Sequence, residues 1–355
     1  MIPGTGSEKT AVNPYVVTLG TAGGPRWWRS ADAVHQAGIA TAVVVGEAVY
    51  LVDAGHGVGQ QLAHAGLRIP QIRGIFLTHL HSDHTIDLPS LLVFGFLHLP
   101  DPGQRPIRIL GPGNRGMLPP VSPRAATPPE PVFPEQPTPG TAELVDLLLR
   151  AYATDINDRV LDSLRPSPVR LFQAEDIELP ADSGFHPNLN SSPDVEPFEI
   201  YRDDLVTVTA TLVSHPPIAP AFAFRFQTAE GSVTISGDTA PSRNLVRLAQ
   251  GSELLLHEAM DFSAMQEIYR HETRETAEAT MDHHYKSHTS PHQAGELASA
   301  AGVSVLALHH LSPGNVDPAV WRAAEATFAG PVRVPADLET ICFARTTIEQ
   351  TQPEH

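Results

Sequence analysis

The sequence predicts an α/β protein, of the α+β kind, in which two mixed β-sheets pack together and helices cover their outer faces. Three observations support this prediction. Apolar strand segments fill residues 15–53 and return from residue 205. Helix–strand units follow later in the chain, and polar residues cluster where strands end. The 355 residues, 1–355, are interpreted as one domain.

The first half begins with β-type segments. "YVVTLGTAG" predicts a strand that runs into glycines, and "IATAVVVGEAVYLVDAG" predicts two strands joined by a Gly-Glu turn. "IRGIFLTHLHSDH" is a short apolar strand that runs into polar residues, and "RPIRILGPG" is a further strand.

Residues 112–200 are predicted to form an insertion within this domain. Residues 112–139 carry ten of the 34 prolines, and proline lacks the N–H that a helix or a central strand needs. A helix follows, with Thr141 as its N-cap and Leu144, Leu148 and Tyr152 on one face, and then an irregular return. The insertion is interpreted as a lid, a pocket wall or an interface element, with a plain spacer as the alternative.

The second half alternates strands and helices. "LVTVTATLVSH", "AFAFRF", "GSVTISGD" and "SELLLHEAM" predict strands, and "APSRNLVRLAQG" predicts a helix. The helix in "SPHQAGELASAAG" has clear ends, because Ser290 and Gln293 form a capping box and Gly302 follows its last apolar residue. The strand "VSVLALHH" comes next.

Composition narrows the class of protein. The net charge is −17 and no Lys/Arg cluster occurs, so a nucleic-acid partner is not expected, since binding to phosphates draws on a basic face. Cys342 is the single cysteine, which excludes an intrachain disulfide. The N-terminus has no signal-peptide pattern, and the apolar stretch 86–100 is too short and interrupted to span a bilayer. These features predict a cytoplasmic protein without a membrane partner.

The strongest local signal is "THLHSDH" at residues 78–84. His79, His81, Asp83 and His84 lie within six residues, directly after an apolar strand. Imidazole and carboxylate are the usual ligands of zinc other than thiolate. The sequence therefore predicts a metal site at this strand end.

Four local ligands do not complete two metal sites, so further ligands are expected at other strand ends. His215 follows "TVTATLVS", and Asp238 follows "VTISG". His309 and His310 end the run "VSVLAL". Adjacent side chains on a strand point to opposite faces, so only one of this pair is expected to face the site.

The pattern THLHSDH, SH, SGDT, HTS and HHLSP resembles the metallo-β-lactamase superfamily. "LGTAGG", "VDAG", "GPGN", "HEAM" and "HTSPHQAGELASAAGV" are similar to its ribonuclease Z-like branch. The resemblance covers nearly all of residues 15–345, apart from 112–200. It implies a four-layer αββα sandwich, the metallo-β-lactamase fold, with a two-zinc site at its edge.

The resemblance also implies the ligand sets and the cofactor. One zinc would be held by His79, His81 and His215, and the other by Asp83, His84 and the late histidine, with Asp238 bridging them. That late ligand follows the HTS histidine by roughly 22 residues in the branch, and counting from His288 gives His310. Mn²⁺ or Fe²⁺ remain alternatives to Zn²⁺.

Further residues are assigned roles beside these ligands, that of His288 being implied by the resemblance. Asp83 would orient the nucleophile and take a proton, and His288 would hydrogen-bond the substrate or protonate the leaving group. Supporting roles behind the ligands are assigned to His257, Glu258 and His309. His283 and His284 are expected to be exposed, yet close enough to His288 to line a pocket. Trp27 and Trp28 are assigned to the substrate pocket, with packing under a loop as the alternative.

These inferences predict a dinuclear zinc hydrolase that cleaves an ester-like bond of a small molecule: a phosphodiester, sulfate ester, lactone or β-lactam. The first alternative is a ribonuclease Z-type tRNA 3′-processing endonuclease. It is disfavoured because such enzymes carry a Gly-rich, basic arm, whereas 112–200 is Pro-rich and not basic. The second is a non-catalytic metal-dependent scaffold or sensor, disfavoured because every ligand position is filled. The branch also allows a homodimer.

Overall fold

The computed structural model describes residues 13–25, 36–99 and 105–345. Within these ranges the strands form two seven-stranded sheets. The first sheet contains β1 (Tyr15–Gly20), β2 (Ala40–Val45), β3 (Ala48–Val52), β4 (Ile72–Phe76), β5 (Ile107–Pro112), β6 (Phe172–Ile177) and β14 (Glu339–Cys342). The second sheet contains β7 (Phe198–Arg202), β8 (Thr207–Leu212), β9 (Phe222–Gln227), β10 (Ser232–Ile235), β11 (Leu254–Met260), β12 (Val305–Ser312) and β13 (Val332–Arg333).

Helices connect the strands. They are α1 (Val58–His64), α2 (Ser82–Thr85), α3 (Leu88–Val93), α4 (Thr141–Ala151), α5 (Ala153–Leu161), α6 (Pro168–Leu171), α7 (Arg243–Ala249), α8 (Phe262–Ile268), α9 (Arg274–Ser287) and α10 (Pro291–Ala301). No helix among the described residues is both long and apolar enough to cross a membrane.

Both sheets are mixed. The first has the order β14-β1-β2-β3-β4-β5-β6, and the second has the order β13-β12-β11-β10-β9-β8-β7. The pairs from β3 to β6 are parallel, as are those from β10 to β13. The carboxyl ends of parallel neighbours meet at one sheet edge, so the loops that follow β4, β10, β11 and β12 are able to converge.

The core has three layers of apolar side chains. Tyr50, Phe76 and Phe224 are fully buried between the two sheets. On the outer face of the first sheet lie residues of α1, α3 and α4, and on that of the second lie residues of α7 and α10. The order helix, sheet, sheet, helix confirms the predicted αββα sandwich.

Several predicted local features occur in the structure. Gly46 and Glu47 form the turn between β2 and β3, with Gly46 at φ +59°. The Ser290 hydroxyl accepts a hydrogen bond from Gln293 N at the start of α10. The helix ends at Gly302, which has a left-handed φ of +63° that glycine adopts without strain.

The segment 112–200 differs from its prediction in two respects. Thr141 is the first residue of α4 and does not cap it, because its hydroxyl donates to Pro112 O at 2.9 Å. Val145 is the buried apolar residue of this helix, whereas Tyr152 is 44% exposed and lies between α4 and α5. The return is not wholly irregular either, since β6 pairs with β5 and covers an edge that would otherwise be open.

Candidate metal centre

The loop after β4 carries four of the predicted ligands, and Asp53 organises it. The Asp53 carboxylate, at the end of β3, accepts hydrogen bonds from Thr78 N at 2.8 Å and from His84 Nδ1 at 2.8 Å. Thr78 Oγ1 also donates to it at 2.9 Å and lies 3.1 Å from His79 Nδ1. With Nδ1 of His84 held in this way, its Nε2 faces the site.

His79, His81 and His215 form a first cluster. His81 Nδ1 lies 3.0 Å from His79 Nε2 and 3.1 Å from His215 Nε2. His215 Nδ1 donates to Ser287 O at 2.8 Å, which turns its Nε2 towards the other two rings. Burial, with the neighbouring histidines, holds the pKa values of His79 and His215 well below the ordinary value. These imidazoles are therefore neutral, which is the form that binds metal.

Asp83, His84 and His310 form a second cluster. His310 Nε2 lies 3.1 Å from His84 Nε2 and 3.3 Å from Asp83 Oδ2. Burial would raise the pKa of Asp83, but His84 and His310 hold it below its ordinary value. The Asp83 carboxylate is thus ionised, and its Oδ2 also accepts a hydrogen bond from Gly24 N at 2.9 Å.

Asp238 lies between the two clusters. Its Oδ2 is 3.3 Å from His310 Nε2 in the second cluster and 3.9 Å from His215 Nε2 in the first. Its Oδ1 is buried and lies 3.4 Å from His84 Nε2. Gly237 precedes it at φ +57°, where a Cβ would come within 2.6 Å of Phe222 O. A larger residue at Gly237 would therefore displace the Asp238 backbone.

A β-bulge directs His310 into the second cluster. Glu258 of β11 pairs with His309, but the next residue of β11, Ala259, pairs with Leu311, so His310 is the extra residue. It has φ +48°, the left-handed region. His309 points elsewhere, with its Nδ1 3.5 Å from Thr41 Oγ1 in β2. Burial, with His310 and His257, lowers the pKa of His309 to about 3.

His288 and Glu258 form a buried pair beside the clusters. His288 Nδ1 lies 3.0 Å from Glu258 Oε1, which also accepts a hydrogen bond from Thr239 N at 2.8 Å. Burial would lower the pKa of His288, but Glu258 and Asp238 raise it above the ordinary value. His257 contacts this pair through the backbone of Glu258, because its Nδ1 donates to the Glu258 carbonyl at 2.7 Å.

A cavity of about 210 Å³ opens onto His288, Asp238 and residues of both clusters. His283 and His284 line it, and His284 stacks on Tyr269 with ring centroids 5.6 Å apart. The expectation that both histidines are exposed is wrong, since His284 is buried and His283 half-buried, both on the face of α9 that packs beside the clusters. Trp27 and Trp28 lie outside the described residues.

Sequence reasoning missed the residues that orient the histidines. The Asp53 carboxylate, the Thr78 hydroxyl and the Ser287 carbonyl contact the Nδ1 atoms of histidines and so orient their rings. Glu258, to which the sequence analysis does assign a supporting role, pairs with His288. The "VDAG" motif contains Asp53, but its partner Thr78 lies 25 residues further along the chain. A carboxylate at the end of the strand beside β4 is the signal that could have identified it.

Comparisons with known proteins identify the family. Residues 36–94 match the family model described as the metallo-beta-lactamase superfamily. A ribonuclease Z from Mycobacterium sp. (strain KMS) is 31% identical over 317 residues, which cover 86% of this chain and 90% of the relative. The chain belongs to the ribonuclease Z-like branch of the metallo-β-lactamase superfamily. A further member, a ribonuclease Z from Mycolicibacterium gilvum, is 30% identical with the same coverage.

Solved structures of the superfamily share the fold. The human tRNase Z short form has a TM-score of 0.59 at 20% identity, covering 93% of this chain and 100% of that one. The metallo-beta-lactamase fold protein YhfI from Bacillus subtilis has a TM-score of 0.56 at 16% identity, covering 93% and 99%. At these identities the likeness shows the fold alone.

Family membership confirms one functional prediction and corrects another. The chain is a metal-dependent hydrolase, and members of the superfamily bind a divalent metal ion. The prediction of a small-molecule substrate, with no nucleic-acid partner, is wrong, because the relatives that match most of the chain are ribonucleases Z. That prediction relied on the net charge of −17. A net charge sums the charged groups of the whole chain, so it does not give the charge of one cleft.

Proposed function

We propose that this protein is a ribonuclease Z-type endonuclease that cleaves precursor tRNA on its 3′ side with the help of two zinc ions. The observation that carries the proposal is the meeting of two donor clusters at Asp238, beside the His288–Glu258 pair. The 31% identity to a ribonuclease Z over most of both chains supports the substrate.

The donor set fits a metal pair. Ring nitrogens of neighbouring histidines stand 3.0 to 3.1 Å apart within each cluster. Two nitrogens bound to one tetrahedral zinc at 2.0–2.1 Å lie roughly 3.4 Å apart. The buried Asp238 Oδ1, which lies 3.4 Å from His84 Nε2, is a further donor for a cation. In this proposal His79, His81 and His215 would hold one ion and Asp83, His84 and His310 the other, with Asp238 between the two clusters.

Each side chain then has a chemical task. Divalent ions held there would lower the pKa of a bound water molecule and offset charge on the phosphate. Asp83, fixed by Gly24 N, orients the attacking water and accepts its proton. Glu258 accepts a hydrogen bond from His288 Nδ1, so the protonated Nε2 of His288 is directed to the cavity, where it donates a proton to the leaving oxygen.

The test uses precursor tRNA with a 3′ trailer and mature tRNA as substrates. We expect one cut at the 3′ side of the precursor, no cut in the mature tRNA, loss of activity with a chelator and recovery with Zn²⁺. Parallel reconstitution with Mn²⁺ and Fe²⁺ identifies the preferred ion. Elemental analysis should give about two metal ions per chain. A fully metallated preparation that leaves the precursor intact would overturn the proposal.

A further inference from the structure

A second cavity lies next to the candidate metal centre. It has a volume of about 330 Å³ and is lined by Leu80 and Ser82, which flank His81, and by Ile218, shortly after His215. Ser82 also lines the cavity that opens onto Asp83 and His288. A substrate whose reacting group occupies the first cavity therefore has its neighbouring group within reach of the second.

Proline rings form much of the lining of this second cavity. Pro137 and Pro139 come from the Pro-rich segment, defined as residues 112–139, and Pro220 comes from the loop after His215. Leu144 of α4 completes the apolar part of the lining. We call this space the proline-walled cavity. Its walls are stiff, because the proline ring restricts the backbone.

Side chains of two arginines and a backbone N–H, Ala126 N to Glu275 Oε1 at 3.0 Å, fasten the Pro-rich segment. The Arg115 guanidinium donates to Pro217 O at 2.9 Å and to Asn188 Oδ1 at 2.6 Å, which joins the segment to the loop after His215. Further along, Arg124 Nε donates to Asp282 Oδ2 at 2.8 Å, and its Nη1 pairs with Glu278. These contacts hold the segment against the second half of the sandwich, so it is a built wall of the cavity.

The chemistry of the lining favours a flat, neutral group. Its few polar side chains include the hydroxyls of Ser82, Thr85 and Thr138. Arg115, the one cation among the described lining residues, has most of its N–H groups engaged by carbonyl and amide oxygens, so few remain to bind a phosphate. Predominantly apolar walls with a few hydroxyls suit a planar heteroaromatic ring, because its faces pack on the walls and the hydroxyls can hydrogen-bond to the polar atoms at its edge. A nucleobase is such a ring.

We propose that the proline-walled cavity receives the base of one nucleotide next to the scissile phosphate of the RNA, and that this base contact selects the cleavage site. The inference rests on the proposed function.

The test compares precursor RNAs in which each nucleotide flanking the scissile bond is intact or abasic. With wild-type enzyme, removing the base on one side should raise KM by about fivefold or more with kcat little changed, which is the lower range for a base contact. Leu144→Trp and Ile218→Trp fill the cavity from different walls and should abolish the difference between intact and abasic RNA. Leu147→Trp, on an exposed position of α4, is the matched control and should preserve it.

Two results would overturn the inference: equal KM for intact and abasic RNA in the wild type, or undiminished discrimination in both folded cavity-filling variants. A titration with adenosine, monitored by NMR, measures binding in the cavity without requiring RNA cleavage. Adenosine should perturb the wild-type and Leu147→Trp spectra but not those of Leu144→Trp, and binding that is equal in all three would exclude the cavity. Failure of the wild type to cut any precursor while adenosine still binds would instead reject the proposed function.

Discussion

His84 Nε2 and His310 Nε2 lie 3.1 Å apart although 226 positions separate the two residues in the sequence. Their rings stack with centroids 4.9 Å apart. Each comes from a different sheet: His84 follows β4 of the first, and His310 lies in the bulge of β12 in the second. The second cluster therefore forms only when the two sheets pack, and metal binding there should be coupled to the folding of the whole sandwich.

Replacement of the two adjacent histidines should have unequal effects. His310→Ala removes a donor from the second cluster and should reduce the metal content from about two to about one ion per chain. His309→Ala is the matched control, because its ring faces Thr41 in β2. Elemental analysis of both variants, prepared in parallel, gives the comparison. Loss of metal from His309→Ala with retention in His310→Ala would contradict the assignment.

Asp53→Asn should weaken metal binding, although Asp53 is not itself a proposed metal ligand. Asp53 has φ +61°, a conformation that asparagine also tolerates, so the backbone should be preserved. The amide holds His84 Nδ1 less firmly than the carboxylate does, and loss of such a partner costs about 10- to 100-fold in metal affinity. Competition with a chromophoric chelator measures the affinity. Asp162→Asn, at an exposed position, serves as the control, and an affinity unchanged from wild type in Asp53→Asn would reject this role.

His288→Ala should retain the metal ions but lose turnover by about 10²- to 10⁴-fold, the range for a missing general acid. Glu258→Gln should give an intermediate loss, because it disturbs only the orientation and charge of His288. Single-turnover cleavage combined with elemental analysis separates the two quantities. If His288→Ala loses its metal as well, His288 has a ligand role instead.

Asp203 should stabilise the fold in a pH-dependent way. Its carboxylate accepts hydrogen bonds from Tyr50 OH at 2.7 Å and Arg73 Nη1 at 3.0 Å. Burial would raise the pKa of Asp203, but the backbone N–H groups of Leu205 and Val206, with Tyr50 and Arg73, lower it. The unfolded chain therefore binds more protons in acid, so this stabilisation is complete above pH of about 4 and declines as pH falls through the lowered pKa.

Asp203→Asn should accordingly lower the free energy of unfolding by about 1–3 kcal/mol at neutral pH, with a smaller difference from wild type in acid. Asp204→Asn is the adjacent control: it also pairs with Arg73, but its side chain is 66% exposed, and it should change the free energy by less than about 1 kcal/mol. Urea unfolding at several pH values measures both. Equal losses in the two variants would contradict the role of the buried carboxylate.

Arg124→Ala should release the Pro-rich segment from α9 while leaving the sandwich intact. Exposed ion pairs contribute only about 0–1 kcal/mol, so global stability should change little. Hydrogen exchange of the few N–H groups between residues 112 and 139 should accelerate, and the KM for RNA should rise. Arg150→Ala, which removes an exposed pair with Asp146 in α4, is the control. Unchanged exchange in the Pro-rich segment of Arg124→Ala would show that Arg124 does not fasten it.

The sequence by itself determined the fold class, the capped helix α10 and the family. These conclusions rest on signals within short stretches: strand patterns, the Ser290–Gln293 capping box, and His79, His81, Asp83 and His84 within six residues. Local chemistry of this kind is readable without a structure, because neighbouring residues decide it.

Only the tertiary structure decided how the site is supported and what surrounds it. The Asp53–His84 contact, the bulge that turns His310 away from the direction of His309, and the burial of His284 all depend on elements far apart in the chain. The same holds for the proline-walled cavity, since Arg115 and Arg124 fasten the Pro-rich segment to residues about 100 and 158 positions away. Such contacts form when the two sheets and their helices pack together, and no local pattern encodes them.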